Sequence, residues 1–522
     1  MAQTVDFFRA RLDAMIDLRH SLAVLATRLP WLQLEAELAP IWRRESREGI
    51  LPEGEDLFGS GGVLVAAGVS HAGRSRLRIR LMCSLLYLKH AFNLSDEETC
   101  ERWAENVVWQ YFSAMDYYEP CLPCDATQIG RFRTAIGEAG MQAILKATIG
   151  TAVASKAIKP AEFERIIVDS TVQEKAMALG HAVAYPVDSR LLEIARHKVV
   201  THAKRCGIAL RQSFAKEGKT LKRKAGGYAH AKQFKRLHRT VKRQRTMALG
   251  QPLVGKLIRE VRSHLSAGTF NFATPPSTLA TLSILLDRAD RIRTQQPTDK
   301  NKLYALHAPE VECISKGKAR NRYEFGVKVS LAVTHKQGLM VGAKRFVGNP
   351  YDGHTLAAQI SQCNDLIKCA GSEVKQAFVD LGYRGVDADN PDIEVIHRGR
   401  IKSMSARQKK QLKRRQAIEP AIGHVKHDSP RLPRNRMIRC YLRGSIGDAL
   451  HAIALGYSVS CAAGYNIRWL IRAIMRLGLR GLFAFAFLAS WLTDMRQSGS
   501  PKARTANDRR STSPIYLRYA LN

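Results

Sequence analysis

The sequence predicts a mixed α/β domain that is interrupted by a long basic helical segment and preceded by an all-helical region. Three observations support this prediction. Helical apolar spacing dominates residues 1–150, short apolar runs that suit strands begin only near residue 160, and a segment rich in Lys and Arg separates the first such run from the next. We therefore expect an N-terminal region at 1–150, an α/β domain at 160–465 with an insertion at 176–315, and a C-terminal helix and flexible basic tail at 466–522.

The N-terminal region is predicted to be helical. Leu81 to Leu88 is mostly apolar, and Ser95-Asp96-Glu97-Glu98 has the spacing of a capping box that begins a helix. We expect this helix to continue to Tyr111, and a further helix to begin near Ala126. Helical bundles of this kind bind DNA in many proteins and only pack in many others, so both interpretations stay open.

Segments that suit strands follow from about residue 160. Residues on both sides of Gly338 alternate between apolar and polar, which predicts a hairpin. The segments are, in order, the strand Glu164–Val168, the hairpin strands Tyr323–Thr334 and Leu339–Val347, the helix His354–Cys369, the strands Gln376–Val379 and Ile393–Ile396, and a basic helix that carries Glu419. Without the insertion, this is the order of elements in a ribonuclease-H-like α/β domain.

The insertion is the most basic part of the chain. Between Glu193 and Glu260 there are nineteen Lys and Arg residues and one acid, Glu217. Apolar residues recur at helical spacing from Tyr228 to Val241, which predicts one amphipathic helix. The cations on its opposite face are Lys232, Lys235, Arg236, Arg239, Lys242 and Arg243. Most charge runs are only solvated helix faces, but the near-absence of acid over some sixty residues favours a surface that follows phosphates.

The overall charge narrows the class of protein. The net charge is +36 and the pI is near 10.1, a field that metabolic enzymes do not need and that suits a polyanionic partner. Association with ribosomes or acidic membranes is the alternative. Ten scattered cysteines and the lack of a secretory signal indicate a cytoplasmic protein. The apolar stretch Leu482–Leu492 is too short to span a bilayer, so no membrane association is expected.

Three carboxylates are placed where a metal site for phosphate chemistry needs them. Asp169 and Asp380 each end an apolar run, and Glu419 lies on the basic helix. Two such aspartates and one helical glutamate can hold a pair of divalent cations, and carboxylates suit Mg²⁺ or Mn²⁺ better than zinc. The alternatives are a strand-end cap on Ser170 or Thr171 for Asp169, and a surface ion pair between Glu419 and Arg415.

The motifs around these residues resemble those of DDE transposases of bacterial insertion sequences. The third motif of that branch is Tyr-x2-Arg-x3-Glu-x6-Lys, which Arg415, Glu419 and Lys426 match, although the tyrosine is replaced by Leu412. The resemblance covers roughly residues 80–470. It also includes the runs Ile167-Val168-Asp169-Ser170-Thr171-Val172, Val379-Asp380-Leu381-Gly382-Tyr383-Arg384-Gly385, His307-Ala308-Pro309-Glu310-Val311-Glu312-Cys313 and Gly348-Asn349-Pro350-Tyr351-Asp352-Gly353-His354-Thr355-Leu356.

This resemblance implies an enzyme that binds the terminal repeats of its own mobile element, cleaves there and transfers the strands. It implies that Asp169, Asp380 and Glu419 bind two Mg²⁺ ions, for which Mn²⁺ can substitute, and that Arg415, Lys426 and Arg384 contact double-stranded DNA. It also implies end binding by residues 1–150 and a homodimer or higher oligomer on DNA. The rivals are an inactive or domesticated relative that only binds DNA, and a host nuclease that uses Mg²⁺.

Other residues were weaker candidates for the site. His354 opens a predicted helix near the second motif, and capping or burial explains it better than a role in the site. Glu310 and Glu312 are expected at the surface rather than at the metals. Cys121 and Cys124 form a single CxxC motif, and the sequence has no second cysteine pair at the spacing of a zinc finger. Gly59 to Gly62 lacks the Gly-Lys-Ser/Thr ending of a phosphate loop, so no nucleotide cofactor is expected.

Overall fold

The computed structural model describes residues 10–42, 76–174, 187–245, 253–271, 274–296, 299–300, 302–306, 308–315, 323–385, 390–426 and 457–497. The chain up to Arg472 forms one compact unit, and residues 473–522 form a second one. The C-terminal tail after Ser498 and the glycine-rich segment at 59–62 lie outside the described residues.

The N-terminal region is helical, as predicted. Ser95 and Glu98 form the predicted capping box at the start of a helix. That helix does not reach Tyr111, because Asn106 leaves the helical conformation and its side chain caps a new helix. The helices are α1 (Leu12–Met15), α2 (Ser21–Arg28), α3 (Trp31–Trp42), α4 (Ile79–Phe92), α5 (Asp96–Glu105), α6 (Val107–Phe112) and α7 (Ala126–Ala154), the last with a break at Gly137.

A mixed sheet lies at the centre of the α/β region. The strands are β1 (Arg165–Glu174), β2 (Glu312–Ser315), β3 (Tyr323–Thr334), β4 (Met340–Phe346), β5 (Gln376–Phe378) and β6 (Glu394–Ile396). β1, β5 and β6 run parallel to one another, while β3 is antiparallel to β1 and β4 is antiparallel to β3. The spatial order is therefore β4-β3-β1-β5-β6, with β2 pairing with the first part of β3. The predicted hairpin around Gly338 is confirmed.

The register of the parallel strands sets the positions of the two aspartates. Ile167 of β1 is level with Phe378 of β5, the last pair between these two strands. Asp169 and Asp380 each lie two residues further along, so they are at the same level just beyond the β1–β5 pairing. The prediction that Asp169 ends its strand is wrong. β1 continues to Glu174, because residues 170–174 pair with β3 even though they are largely polar. Asp169 therefore lies in the middle of β1, just beyond the point where β5 ends.

In the described part of the inserted region, five helices surround a hydrophobic core of their own. They are α8 (Val187–Arg205), α9 (Ala215–His230), α10 (Phe234–Arg245), α11 (Leu253–Ser266) and α12 (Pro276–Thr294). Fully buried residues such as Ala195, Leu257, Val261 and Leu285 form this core. The predicted single helix from 228 to 241 is wrong. The helix is interrupted between α9 and α10, where Lys232 adopts the left-handed conformation with φ of 54°.

The remaining helices in the described residues are α13 (Leu356–Ile367), α14 (Ala406–Lys413), α15 (Ile418–Lys426) and α16 (Tyr457–Gln497), of which α13 and α15 pack against the sheet. Near the start of α16, the buried Asn466 donates its amide to Thr148 of α7 and to the Met340 carbonyl, and accepts from the Met340 N–H. Trp469 donates to the carbonyl of Gln337 in the β3–β4 turn. This part of α16 thus ties the N-terminal helices to the hairpin.

Candidate active site

The two aspartates lie side by side at the C-terminal edge of the parallel strands. Asp380 lies two residues beyond the end of β5, and its Oδ1 accepts a hydrogen bond of 2.8 Å from the Gly382 N–H. Asp169 Oδ1 accepts one of 2.8 Å from the Ser170 N–H. Each carboxylate is therefore held at one oxygen by the backbone, and the second oxygen is left for another partner. The local caps that the sequence allowed are present, but they do not exclude a role in the site.

Glu419 and Arg415 approach Asp169 from the helical side. Ile418, Ala421 and Val425 are buried on one face of α15, which packs against β1 and β3. Glu419 lies in the first turn of α15 on its exposed face. Arg415, in the 3-10 turn just before α15, places Nη1 3.5 Å from Asp169 Oδ2. The interpretation of Glu419 as the partner of Arg415 is not supported, since the carboxylate that Arg415 meets is that of Asp169.

Electrostatics link these residues. The pKa of the Asp169 carboxyl is raised to about 6, chiefly by burial, then by the negative charge of Asp380 and to a smaller extent by that of Glu419, whereas Arg415 and the Ser170 N–H oppose the rise. Because like charges disfavour each other's ionised forms only at short range, the three predicted carboxylates share one neighbourhood. Shifted pKa values of this kind are common at functional sites and are also found in structural ion-pair networks.

The chemistry of this group suits a hard divalent cation. Asp169, Asp380 and Glu419 provide oxygen donors of the kind that Mg²⁺ and Mn²⁺ prefer, and their mutual repulsion would be relieved by positive charge. Among the side chains that the structure describes, however, no three His, Cys, Asp or Glu residues lie close enough together to hold one metal ion in this arrangement. The guanidinium of Arg415 is the positive group that contacts Asp169 here.

Basic residues line the same edge of the sheet. Arg384 is exposed just after the Asp380 turn, and its side chain lies beside Gly399. Sequence reasoning missed the neighbouring Arg398, Arg400 and Lys402, which are exposed in a 3-10 segment that follows β6. The signal was available, because a basic run directly after a parallel strand must lie at this edge. Lys426 ends α15, but its side chain lies outside the described residues.

The predicted cations of the inserted region are at the surface. Lys232, in the turn before α10, and Lys235, Arg236, Arg239, Lys242 and Arg243 of α10 are all exposed, while Leu237 is buried beneath them. Arg243 lies 3.6 Å from Glu217, the one acid between Glu193 and Glu260. Phe234 is one of the apolar residues whose helical spacing predicted a buried face between 228 and 241. It is instead 51% exposed at the start of α10. The break after α9 changes the helical phase, which explains this error.

The weaker candidates lie apart from the carboxylates or in structural roles. His354 is exposed and its ring packs edge-on against Tyr351. Glu310 is buried, contrary to the expected surface position, and its charge acts on Arg288 of α12. Cys100 and Cys124 have sulfur atoms 4.0 Å apart. Leu412, where the family motif has tyrosine, is buried in α14 and supports packing.

Comparisons with known proteins connect this chain to transposition. Residues 63–135 match the family described as Transposase domain (DUF772). This segment includes α4, α5, α6 and the start of α7, and its residues 63–75 lie outside the described part of the chain. The match indicates a transposition-related function. No helix in the described part of the chain has the length and apolar character needed to cross a membrane.

A second comparison identifies a relative of the chain. The protein named "Uncharacterized protein ORF8 in nfe locus" of Rhizobium meliloti is 37% identical over 229 residues, which are 44% of this chain and 95% of that protein. No solved structure matches the chain. The chain therefore belongs to the same family as the ORF8 protein of the nfe locus and carries a transposase domain at residues 63–135.

Proposed function

We propose that this chain is a DDE transposase that binds the terminal inverted repeats of an insertion sequence, cleaves at its ends and transfers the strands to a target. The observation that carries the proposal is the shared neighbourhood of Asp169, Asp380 and Glu419, which are up to 250 residues apart in the chain. Bringing negative charges from such distant residues to one sheet edge costs stability, because like charges repel. Groups of ionisable residues that disfavour each other in this way are characteristic of functional sites.

The proposed fold of the catalytic region is ribonuclease-H-like. Two features of the sheet support it. The strand order is β4-β3-β1-β5-β6, and the three strands β1, β5 and β6 are parallel while the β3–β4 hairpin is antiparallel to them. In an α/β sheet of this kind, the carboxyl ends of the parallel strands form the edge where ligands bind.

The proposed reaction is an in-line displacement at a DNA phosphorus atom. An oxygen of water, and later a DNA 3′-hydroxyl, forms the new P–O bond while the opposite P–O bond breaks. Asp169, Asp380 and Glu419 would hold two Mg²⁺ or Mn²⁺ ions, which when bound stabilise charge on the attacking and leaving oxygens. The Gly382 and Ser170 N–H groups orient the two aspartates toward that task. Arg415, freed from Asp169 by a competing cation, would then contact a phosphate.

Double-stranded DNA is the proposed partner. The exposed cations of α10 and of the 398–403 segment can neutralise phosphates, so the affinity for DNA should fall as salt rises. Because the two ends of an element must be held together, the active form on DNA is a homodimer or a higher oligomer. The second candidate function is an inactive DNA-binding relative, which is favoured by the lack of a closed metal cluster among the described side chains and by the replacement of the motif tyrosine by Leu412.

A cleavage assay tests the proposal. The substrate is linear DNA that carries the inverted repeats flanking the gene, with Mg²⁺ or Mn²⁺ and with EDTA as a blank. We expect wild-type protein to cut at the repeat ends, and Asp380→Asn or Glu419→Gln to slow cutting at least about 100-fold, since several kcal/mol of transition-state stabilisation are lost. Asp365→Asn, on the exposed face of α13, is the matched control.

Binding to the same DNA, measured in EDTA, distinguishes the two candidate functions. The transposase should bind the repeats with similar affinity in the wild-type and Asp380→Asn forms, and only the wild type should cut. A wild-type protein that binds the repeats but never cuts them would support the inactive relative. Cutting by Asp380→Asn at the wild-type rate would remove Asp380 from the reaction.

A further inference from the structure

A fourth acidic residue lies beside the proposed catalytic carboxylates. Asp352 belongs to the run Gly348–Leu356, which connects β4 to α13 and has no role in the mechanism above. Its backbone carbonyl accepts from the N–H and the hydroxyl of Thr355, at 3.0 and 2.6 Å, so the start of the following 3-10 turn fixes its position. The side chain is only partly exposed.

A buried lysine holds one oxygen of this carboxylate. Lys328 lies in the middle of β3, its side chain is 9% exposed, and its Nζ is 3.0 Å from Asp352 Oδ1. The same ammonium group donates to the carbonyl of Pro350. A buried lysine needs a counter-charge because an unpaired ammonium is costly in a nonpolar environment. Pairing with Lys328 also fixes the rotation of the Asp352 side chain.

The other oxygen of Asp352 lies beside Gly382, as does an oxygen of Asp380. A methyl group placed on Gly382 would lie 3.0 Å from Asp380 Oδ1 and 3.1 Å from Asp352 Oδ2, so these two oxygens flank the same point. A side chain at position 382 would therefore require these carboxylates to shift by a few tenths of an ångström. The neighbouring Tyr383 lies close to the same carboxylates. Burial, and then the charges of Asp352, Asp169 and Asp380, raise the pKa of its hydroxyl.

We propose that Asp352, held by Lys328, is a positioning residue that strengthens divalent-cation binding at Asp380 without touching the reacting atoms. This inference rests on the proposed function. Its physical basis is that a fixed second carboxylate adds negative charge next to a ligand and can accept hydrogen bonds from water bound to the cation. Outer partners of this kind typically change metal affinity by about 10- to 100-fold when they are removed.

The competing explanation is that Asp352 serves only as the counter-charge of Lys328. The two roles differ in what happens when both charges are removed together. If Asp352 only neutralises Lys328, the double variant Lys328→Met/Asp352→Asn should behave like the wild type. If its charge acts on the cation, the double variant should be as deficient as Asp352→Asn alone, and Lys328→Met should bind the cation as well as or better than the wild type.

The test measures Mn²⁺ affinity of the full chain without DNA, by titration calorimetry or electron paramagnetic resonance, with thermal unfolding in EDTA as a second readout. We expect Asp352→Asn and the double variant to weaken Mn²⁺ binding about 10-fold. Lys328→Met should not weaken it. The double variant should recover thermal stability lost in Asp352→Asn, which separates the loss of affinity from misfolding. Asp365→Asn is the control for a surface acid.

Asp380→Asn distinguishes the failure of this inference from the failure of the proposed function. If Asp380→Asn loses Mn²⁺ binding while Asp352→Asn stays within about twofold of wild type, only the role of Asp352 is overturned. Wild-type affinity in the double variant would overturn it as well. If the wild type binds no Mn²⁺, or Asp380→Asn binds it as tightly as the wild type, the metal site itself is overturned, and the inference with it.

Discussion

The central sheet and the inserted helices differ in where their charged side chains lie. At the sheet edge, Asp169 is 9% exposed and shares its surroundings with other carboxylates, so its ionised form is disfavoured. In the insertion, apolar side chains fill the core and nearly all the cations of α10 are at the surface. The buried pair of Glu193 and Arg196, 2.7 Å apart, is fully compensated within that core.

Under the proposed function, two requirements of one protein are met by separate parts. Chemistry on a phosphate needs a few charges held in defined positions away from water. Affinity for a polyanion needs many exposed cations, whose individual positions matter less. Since the insertion has its own core, damage to one part should leave the other largely intact, and the following variants test that separation.

The largest effect is expected from a cavity in the insertion core. Leu285 of α12 is buried against α8 and α11, so Leu285→Ala should cost about 2–5 kcal/mol of local stability. Hydrogen exchange measured by mass spectrometry should become faster in α8–α12 and stay unchanged in β1, β3 and β5. Ile284→Ala, at a position that is 41% exposed on the same helix, should have little effect. Equal acceleration in the sheet would show that the two cores unfold together.

A smaller effect is expected from the exposed cations of the insertion. Replacing five of them with glutamine should weaken DNA binding about 30-fold at 0.15 M salt, and the plot of log affinity against log salt should become less steep by up to about 4. The measurement is fluorescence anisotropy with the repeat DNA at several salt concentrations. The five substitutions are Lys235→Gln, Arg236→Gln, Arg239→Gln, Lys242→Gln and Arg243→Gln.

A control of equal charge loss shows whether position matters. The residues of the control are exposed and lie outside the insertion: Arg28, Lys159, Lys336, Lys368 and Lys375. Their replacement by glutamine should reduce binding much less. If both sets of substitutions have the same effect on the salt dependence, α10 contributes only general charge and no defined DNA surface.

The smallest effect is expected from the carboxylate at the centre of the sheet. Because the pKa of Asp169 is raised from 3.8 to about 6, ionisation of this group destabilises the fold; the loss of stability begins near pH 4, develops between the two pKa values and is complete above the higher one. Asp169→Asn should therefore gain about 1 kcal/mol at pH 7.5 without divalent cations. The full rise in the pKa corresponds to about 3 kcal/mol, but asparagine leaves Arg415 without its ionic partner.

Urea unfolding at two pH values checks this expectation. The gain of Asp169→Asn over the wild type should be present at pH 7.5 and vanish near pH 4, where the wild-type carboxyl is protonated. An equal gain at both values would mean that packing, and not charge, is responsible. Asp365→Asn, exposed on α13, should show no difference at either pH.

Much of the sheet could be predicted from the sequence because its signals are local. β3 has the predicted bounds, since its residues alternate and Gly338 turns the chain. The extent of β1 could not be predicted, because Ser170 to Glu174 are mostly polar and stay extended only through pairing with the distant β3. The same holds for the break at Lys232, which apolar spacing does not reveal.

The site was predictable to a similar degree. The sequence singled out Asp169, Asp380 and Glu419 by motif, and the structure brings their charges together. The contact of Arg415 with Asp169, rather than with Glu419 four residues away, depends on how the 3-10 turn before α15 meets β1. The position of Asp352 beside Gly382 depends on a buried lysine of another strand, and no local pattern in the sequence encodes such a pairing.

The amide of Asn466 has a consequence for shortened forms of this protein. It supplies three hydrogen bonds that join α7 to the start of β4 late in the chain. A product truncated before residue 457 would leave these polar groups without their partner and would expose the apolar surface that α16 covers. Such a product should be degraded in the cell rather than accumulate as a folded protein.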